Sequence, residues 1–361
     1  MKLSVPFIPD KHYARFLTLQ CKHIESVYFS FPMGTVLDAR MRFQARTDFD
    51  EIIHCLGPLK NIKKYALLNT RFIHPELYSD PLFLKQTRKH LDTLMSGLNL
   101  TGIIFCDAYL LNALAASDRK QVSQLEAVPG INCMLDSPQK IFAFLECIEQ
   151  AGFKSPGKII LDRSLNREMG LLENTIRTVR HAYPDIRFEL LANEGCIHLC
   201  PYKLTHDAQI SFANLDTAQD ACFPNNHTFS INRAIGCHAY FFKHPQRFLK
   251  SPFIRPEDTD RYSDLADTLK ICGRTLGTKF LTRCIQAYTQ KSYAGNLLDL
   301  MDATNWLSDL YHIENEDLDP DYLNTVTHCT KDCKKCSICD TFFKNAATEK
   351  SIELKAYKDY L

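Results

Sequence analysis

Glycine is scarce, at 13 of 361 residues, tryptophan occurs once, and neither sign of charge prevails, with 43 Lys and Arg against 42 Asp and Glu. Each shortage removes a class of protein. So little glycine beside 45% hydrophobic residues excludes a fibrous or disordered chain and matches an ordinary globular composition. A formal net charge of +1 gives no general attraction to nucleic acid or anionic lipid, so such a partner would be held by a local patch. No apolar run approaches the roughly 18 residues of a membrane span, and the opening MKLSVPFIPDKHYARF lacks the apolar core of a secretion signal. The expectation is a soluble, cytoplasmic protein with no membrane span. Two further absences narrow the chemistry. No Gly-x-Gly-x-x-Gly follows an early apolar run, which argues against a dinucleotide fold. Neither a Gly-x-Ser-x-Gly elbow nor a His-Glu-x-x-His helix is present.

What the chain does have is an alternation of short apolar runs with amphipathic segments of helical length. LSVPF, SVYFSF, KYALLN, TGIIFC, INCMLDS, KIILD and FELLAN are each followed by such a segment, except that the last runs into a cysteine-rich stretch. Alternation of this kind predicts right-handed βαβ units and a parallel sheet. Seven strands precede Cys196, and an eighth, from FLKSPFI or TLKICG, would close a barrel. The fold class expected is therefore α/β, a TIM-barrel-like parallel barrel with a helical, cysteine-rich C-terminal extension. Residues 1–240 would form the barrel and end in a first cysteine cluster, 241–315 a barrel-closing and helical segment, and 316–361 a cysteine-cluster tail. YAGNLLDLMDATNWLSDLYHI reads as an amphipathic helix with Trp306 in the core, and SIELKAYKDYL as a charged helical tail.

Polar residues follow the apolar runs at Asn69, Asp107, Asp136, Asp162 with Arg163, and Asn193 with Glu194. In a barrel these positions share the face where catalysis is placed, although Asp and Asn there also cap the following helix. Asp162 and Arg163 stand out, because an adjacent acid and fixed cation can anchor a carboxylate or phosphate.

Cysteine is in excess, at 15 residues, an odd number in a chain with no sign of secretion. Metal binding explains this better than disulfides do. Cys21, Cys55, Cys106, Cys133, Cys147, Cys272 and Cys284 sit in apolar or helical patterns and read as core filler. The other eight form two groups. Cys196, Cys200, Cys222 and Cys237 are separated by 3, 21 and 14 residues. With only one close pair, they favour an iron–sulfur cluster over the two close knuckles of structural zinc, and a three-cysteine cluster without Cys222 is the alternative. His198 and His206 flank this group as ligands, donors to a ligand, or loop residues. Cys329, Cys333, Cys336 and Cys339, with gaps of 3, 2 and 2, form a closed set for a second 4Fe-4S cluster, with zinc as the alternative.

Several segments together resemble the collagenase-like peptidase family U-32 over about residues 1–300: KIILDRSLN, FELLANEGC and above all LKICGRT, with Lys270, Gly273 and Arg274. The resemblance implies a TIM-barrel-like fold, one cluster on Cys196, Cys200, Cys222 and Cys237, and oxygen-independent redox modification more than proteolysis. This chain departs from the family at Arg163-Ser164, where Arg-Glu is usual, at Asn193-Glu194-Gly195, where His-Gly-Ala is usual, and in its second cysteine group. The expectation is thus an iron–sulfur oxidoreductase, hydroxylation-like, acting on a small molecule, peptide or RNA. Asp162, Arg163 and Arg274 would anchor substrate, and Asn193, Glu194, His198 and His206 would line the cluster. An electron-donor protein or small reductant is implied, and a partner subunit is compatible. The alternatives are a U-32-type peptidase and a non-enzymatic, metal-stapled RNA-binding or assembly subunit.

Overall fold

A computed structural model describes residues 1–33, 37–40, 48–215 and 227–350. Its frame is eight strands: β1 (Lys2–Pro6), β2 (Ile24–Ser30), β3 (Lys63–Leu68), β4 (Gly102–Phe105), β5 (Glu126–Pro129), β6 (Lys158–Ile160), β7 (Arg187–Leu191) and β8 (Thr268–Lys270). They lie in the order β5-β4-β3-β2-β1-β8-β7-β6, and every pairing is parallel. This is the cyclic order of an eight-stranded α/β barrel with one loose seam. Between β5 and β6 only the bridge Glu126–Lys154 and single bonds such as Asp162 N to Leu135 O (2.9 Å) join the two sides. The TIM-barrel-like expectation is met, and among the described residues no helix is long and apolar enough to cross a membrane.

Side chains alternate along each strand as the pleat requires. Val27, Phe29, Phe188, Leu190, Leu269 and Ile271 point outward into the large apolar layer beneath the helices. Tyr28, Tyr65, Leu67, Ile104, Val128 and Ile160 form a smaller cluster inside the barrel. Five of the helices, all before Glu126, start where an Asp side chain meets their first free N–H groups. Asp10 accepts from Tyr13 N (2.7 Å), and Asp80, followed by Pro81, accepts from Leu82 N (2.8 Å).

Two expectations need correction, and the choice between two candidates for the eighth strand is decided. The fifth strand is not INCMLDS but the preceding β5, because Pro129 and Gly130 end the ladder and Ile131–Cys133 turns over the rim as a 3-10 helix. Strand eight comes from TLKICG, while FLKSPFI runs from the 3-10 turn Pro245–Lys250 into irregular chain. The segment around Trp306 is no continuous helix. It makes the 3-10 turns Leu297–Leu300 and Asn305–Asp309 and then β9 (Tyr311–Ile313), because the Asn296 carboxamide oxygen accepts from both Leu298 N (3.3 Å) and Ile313 N (2.9 Å). A side chain bonded to backbone in this way offers an alternative to the helical ladder. Trp306 itself is half-buried, its ring stacked on His238 at 4.6 Å. The tail SIELKAYKDYL lies outside the described residues.

Beyond the barrel, the helices Tyr322–His328 and Ile338–Ala346 flank the second cysteine loop, and β10 (Ala347–Glu349) pairs antiparallel with β9. This extension is fixed to the barrel through Arg167, whose fully buried guanidinium lies between the rings of Phe253 (5.0 Å) and Tyr322 (5.8 Å).

Candidate active site

The barrel interior is polar where a typical α/β barrel is filled with branched apolar side chains. Lys158 donates to Glu189 (2.6 Å), Ser26 (2.8 Å) and Ser4 (3.3 Å), and Lys270 donates to the other oxygen of Glu189 (3.2 Å). All five are buried. Burial by itself would raise the Glu189 carboxyl, but the two ammonium groups hold it below its ordinary range.

Above this network, at the carboxyl ends of the strands, opens a cavity of about 120 Å³. Lys270 and Cys272 lie in its lining, with Arg40, Arg163, Arg274 and Lys203 among the cations and Glu194 and Asp207 among the anions. Most of these charges are paired. Arg274 binds Asp38 and also donates to Ser30 Oγ (2.9 Å), Arg40 binds Asp302 (2.7 Å), and Asp207 accepts from Lys203 and from Arg71 (3.1 Å). Burial lowers the Lys203 amine to about 8, with Arg163 adding to the effect and Asp207 opposing it. Arg163 pairs through one nitrogen with Glu194, while its second terminal nitrogen is buried with no hydrogen-bond partner in the protein.

The residues singled out from sequence fall into two sets. Arg163, Glu194, His206 and Arg274 line the cavity together. Asp162 does not share in it: its carboxylate accepts from Ser164 N (2.8 Å) and Ser164 Oγ (2.6 Å) and caps the 3-10 turn Arg163–Arg167. Asn193 is fully buried and turned away, donating to Cys272 O (3.1 Å) and Leu300 O (2.9 Å) and accepting from Cys272 N (2.8 Å). His198 faces Glu168 (3.5 Å), which also binds Lys331 (3.1 Å), so this carboxylate links the first cysteine loop to the second. Burial lowers both His198 and His206 to about 4. Of the other strand-end residues, Asn69 lines the cavity, Asp107 caps Ala108–Ser117, and Asp136 binds Lys140.

Sequence reasoning passed over Arg40, Lys203, Cys272 and the role of Lys270. Arg40 and Lys203 sit outside any strand end, and Cys272 looked like core filler. Lys270 was visible only as part of LKICGRT, and its inward alternation with Cys272 was the available signal.

Cys196 stands in the cavity wall, and Cys200 and Cys237 are close enough for their thiolates to repel it and one another. Burial pushes all three thiols up, Cys237 to about 11. Cys222 lies outside the described residues. In the extension, Cys329, Cys333, Cys336 and Cys339 line one small cavity of about 20 Å³ beside Arg247, Lys250 and Lys331. Arg247 donates to Cys333 O (3.0 Å), and burial, followed by repulsion from Cys333 and Cys329, pushes Cys339 to about 11. Among the described residues no three His, Cys, Asp or Glu side chains are gathered tightly enough to hold a single ion.

No family model matches the chain. A curated protein of Methanocaldococcus jannaschii, named an uncharacterized protease, is 31% identical over 207 residues, which is 56% of this chain and 58% of that protein. The chain thus spans a little over half of that relative's length. Among solved structures, the U32 peptidase Mk0906 is 16% identical with a TM-score of 0.44, covering 63% of this chain and 82% of that one. An intracellular xylanase of Thermoanaerobacterium saccharolyticum is 12% identical with a TM-score of 0.34, covering 59% and 79%.

Proposed function

Taking as premise the assignment to the collagenase-like peptidase family U-32, which its LKICGRT segment and its protease-named relative support, we propose that this chain is an iron–sulfur enzyme. Its reaction is an oxygen-independent redox modification at the barrel mouth, hydroxylation-like in type. The observation that carries this reading is the placement of Cys196 in the cavity wall, with Cys200 and Cys237 adjoining it, at the end of the barrel where catalysis is placed.

The chemistry of the donor sets supports such a group, since thiolates in sets of four are what an iron–sulfur cluster takes. A tetrahedral zinc with bonds of about 2.3 Å draws its sulfurs to within roughly 4 Å of one another. A cubane cluster places its thiolates on separate irons and accepts a wider set. Four thiols around one cavity in the extension, and three around Cys196, would be the sets for two clusters, with Cys222, which lies outside the described residues, as the further candidate of the set around Cys196. When bound, such clusters supply one-electron chemistry. The chain's own residues bind and orient the substrate. The guanidinium groups of Arg163, Arg40 and Arg274 line the cavity and present cations to an anionic group, and a space of about 120 Å³ suits one small group of a substrate.

The relative's name keeps peptidase activity as the second reading. It would need a nucleophile with an adjacent base. Cys272 instead has its thiol pushed up by burial and bonded to Asn193 (3.3 Å), and His206 faces Asn232 (3.4 Å). The deciding experiment is anaerobic purification followed by metal and acid-labile sulfide analysis. About eight irons with matching sulfide are expected. Stoichiometric zinc without sulfide, or hydrolysis of gelatin by metal-free protein, would overturn the reading.

A further inference from the structure

Lys158 and Lys270 share Glu189, but on unequal terms. An ammonium group has three N–H donors. Lys158 places all three, on Glu189, Ser26 and Ser4, and a second carboxylate, Glu25, lies 4.0 Å away. Lys270 places one, on Glu189, at the longer distance of 3.2 Å. The rest of its head group lies against the face of Tyr28, 3.5 Å from the ring centre, and in the lining of the cavity. Two cations thus compete for one central carboxylate in a closed barrel, and the better-held proton is on Lys158. Lys270 is the amine that can release its proton, and the cavity is the side on which it can do so.

We propose that Lys270 is the proton-exchanging amine of the cavity floor, accepting a proton from a ligand held under Arg163 and Arg274 and returning it. The inference rests on the mouth being the ligand site, as proposed above. The step balances without a co-reactant. The lone pair of neutral Lys270 takes a proton from an acidic O–H or C–H of the ligand, the ligand keeps the bonding electrons, and the ammonium formed is paired with Glu189. The reverse transfer restores both.

The groups facing Lys270 are Glu189 from β7, Lys158 from β6, the Tyr28 ring from β2 and Cys272 farther along its own chain. Tyr28 and Cys272 are both pushed up by burial and stay neutral. Burial lowers the Lys270 amine to about 8, Glu189 opposes this, and Lys158 adds to it.

The test uses the full chain labelled with carbon-13 at the lysine ε position, with the signals followed through a pH titration. Two signals are expected to move with a midpoint near 8, against about 10.4 for an ordinary lysine, those of Lys203 and Lys270, and one of them should vanish in Lys203→Met and the other in Lys270→Met. The Lys270→Met variant leaves Lys158 and Glu189 paired one to one, so it retains the fold. Lys158→Met should raise the Lys270 midpoint and Glu189→Gln should lower it. Reductive methylation at pH 8, mapped by mass spectrometry, should modify Lys270 and spare Lys158. If every lysine titrates near 10, if both early signals survive Lys270→Met, or if Lys270 resists methylation, the inference fails. None of these readouts depends on iron, so failure here and failure of the iron and sulfide analysis are separate outcomes.

Discussion

Arg163, at the end of β6, pairs with Glu194, at the end of β7, and not with its neighbour Asp162. The relationship joins the ends of two adjacent strands at the cavity wall. Both side chains are nearly buried, at 8% and 13% exposure, so removing one partner leaves an uncompensated charge. Arg163→Met should therefore cost about 3–5 kcal/mol in chemical denaturation. The double variant with Glu194→Gln should recover a large part of that loss. If the two changes simply add, the pair is not coupled as described.

Arg163→Lys addresses the ligand. A lysine can meet Glu194 but has no planar fork to offer a second nitrogen. Binding of an anionic ligand should weaken about ten- to a hundredfold, with a smaller stability loss than in Arg163→Met. Isothermal titration with the ligand, once identified, and a thermal midpoint measured together would show whether affinity or only stability has moved.

Asn193 is predicted to act on the fold and not on the substrate. Its three bonds tie the end of β7 to Cys272 and Leu300 in a fully buried position. Asn193→Ala strands those backbone groups, at about 1–3 kcal/mol for each one left without a partner. The thermal midpoint should fall while any ligand affinity measured below the transition is retained.

The barrel was legible in the sequence because its signal is periodic and local: seven of the eight strands lie in runs such as KIILD and FELLAN that alternate with helical segments. The fifth was misplaced because Ile131–Cys133 is as apolar as the strand before it, and only Pro129-Gly130 marks where the ladder ends. The Trp306 segment has helical periodicity, but Asn296 captures two backbone N–H groups that a helix would need. At the site, residue type was readable and partnership was not. Asp162 beside Arg163 suggested an anchor, yet the acid is used by Ser164 and the cation by Glu194. Pairing across strands depends on which side chains the barrel turns inward, and Lys158, Glu189 and Lys270 become neighbours only when it closes.

The two cysteine loops should lose metal independently. Ser at Cys333 and Cys336 should remove about half of the iron and sulfide from anaerobic protein while leaving the barrel folded, because those thiols belong to the extension cavity and not to the mouth. Ser at Cys196 and Cys200 should remove the other half. Loss of all iron from either pair of changes would mean that the groups serve one site.

The last prediction concerns acid. Burial holds His206 at about 4 in the folded chain, against about 6.5 in an unfolded one. Above pH 6.5 the imidazole is neutral in both states and has no effect on stability. As the pH falls from about 6.5 toward 4, the unfolded chain binds a proton that the folded chain does not, so stability declines through that window and levels off below it. His198 is lowered to about the same value and adds to the same decline. Each contributes on the order of 1–3 kcal/mol. Denaturation of wild-type protein at a series of pH values between 4 and 7 should show this slope, and His206→Gln, which removes one of the two imidazoles, should make it shallower while His198 keeps the rest. A slope unchanged by His206→Gln would mean that the imidazole is already solvated in the folded chain and does not line the cavity in the neutral form described.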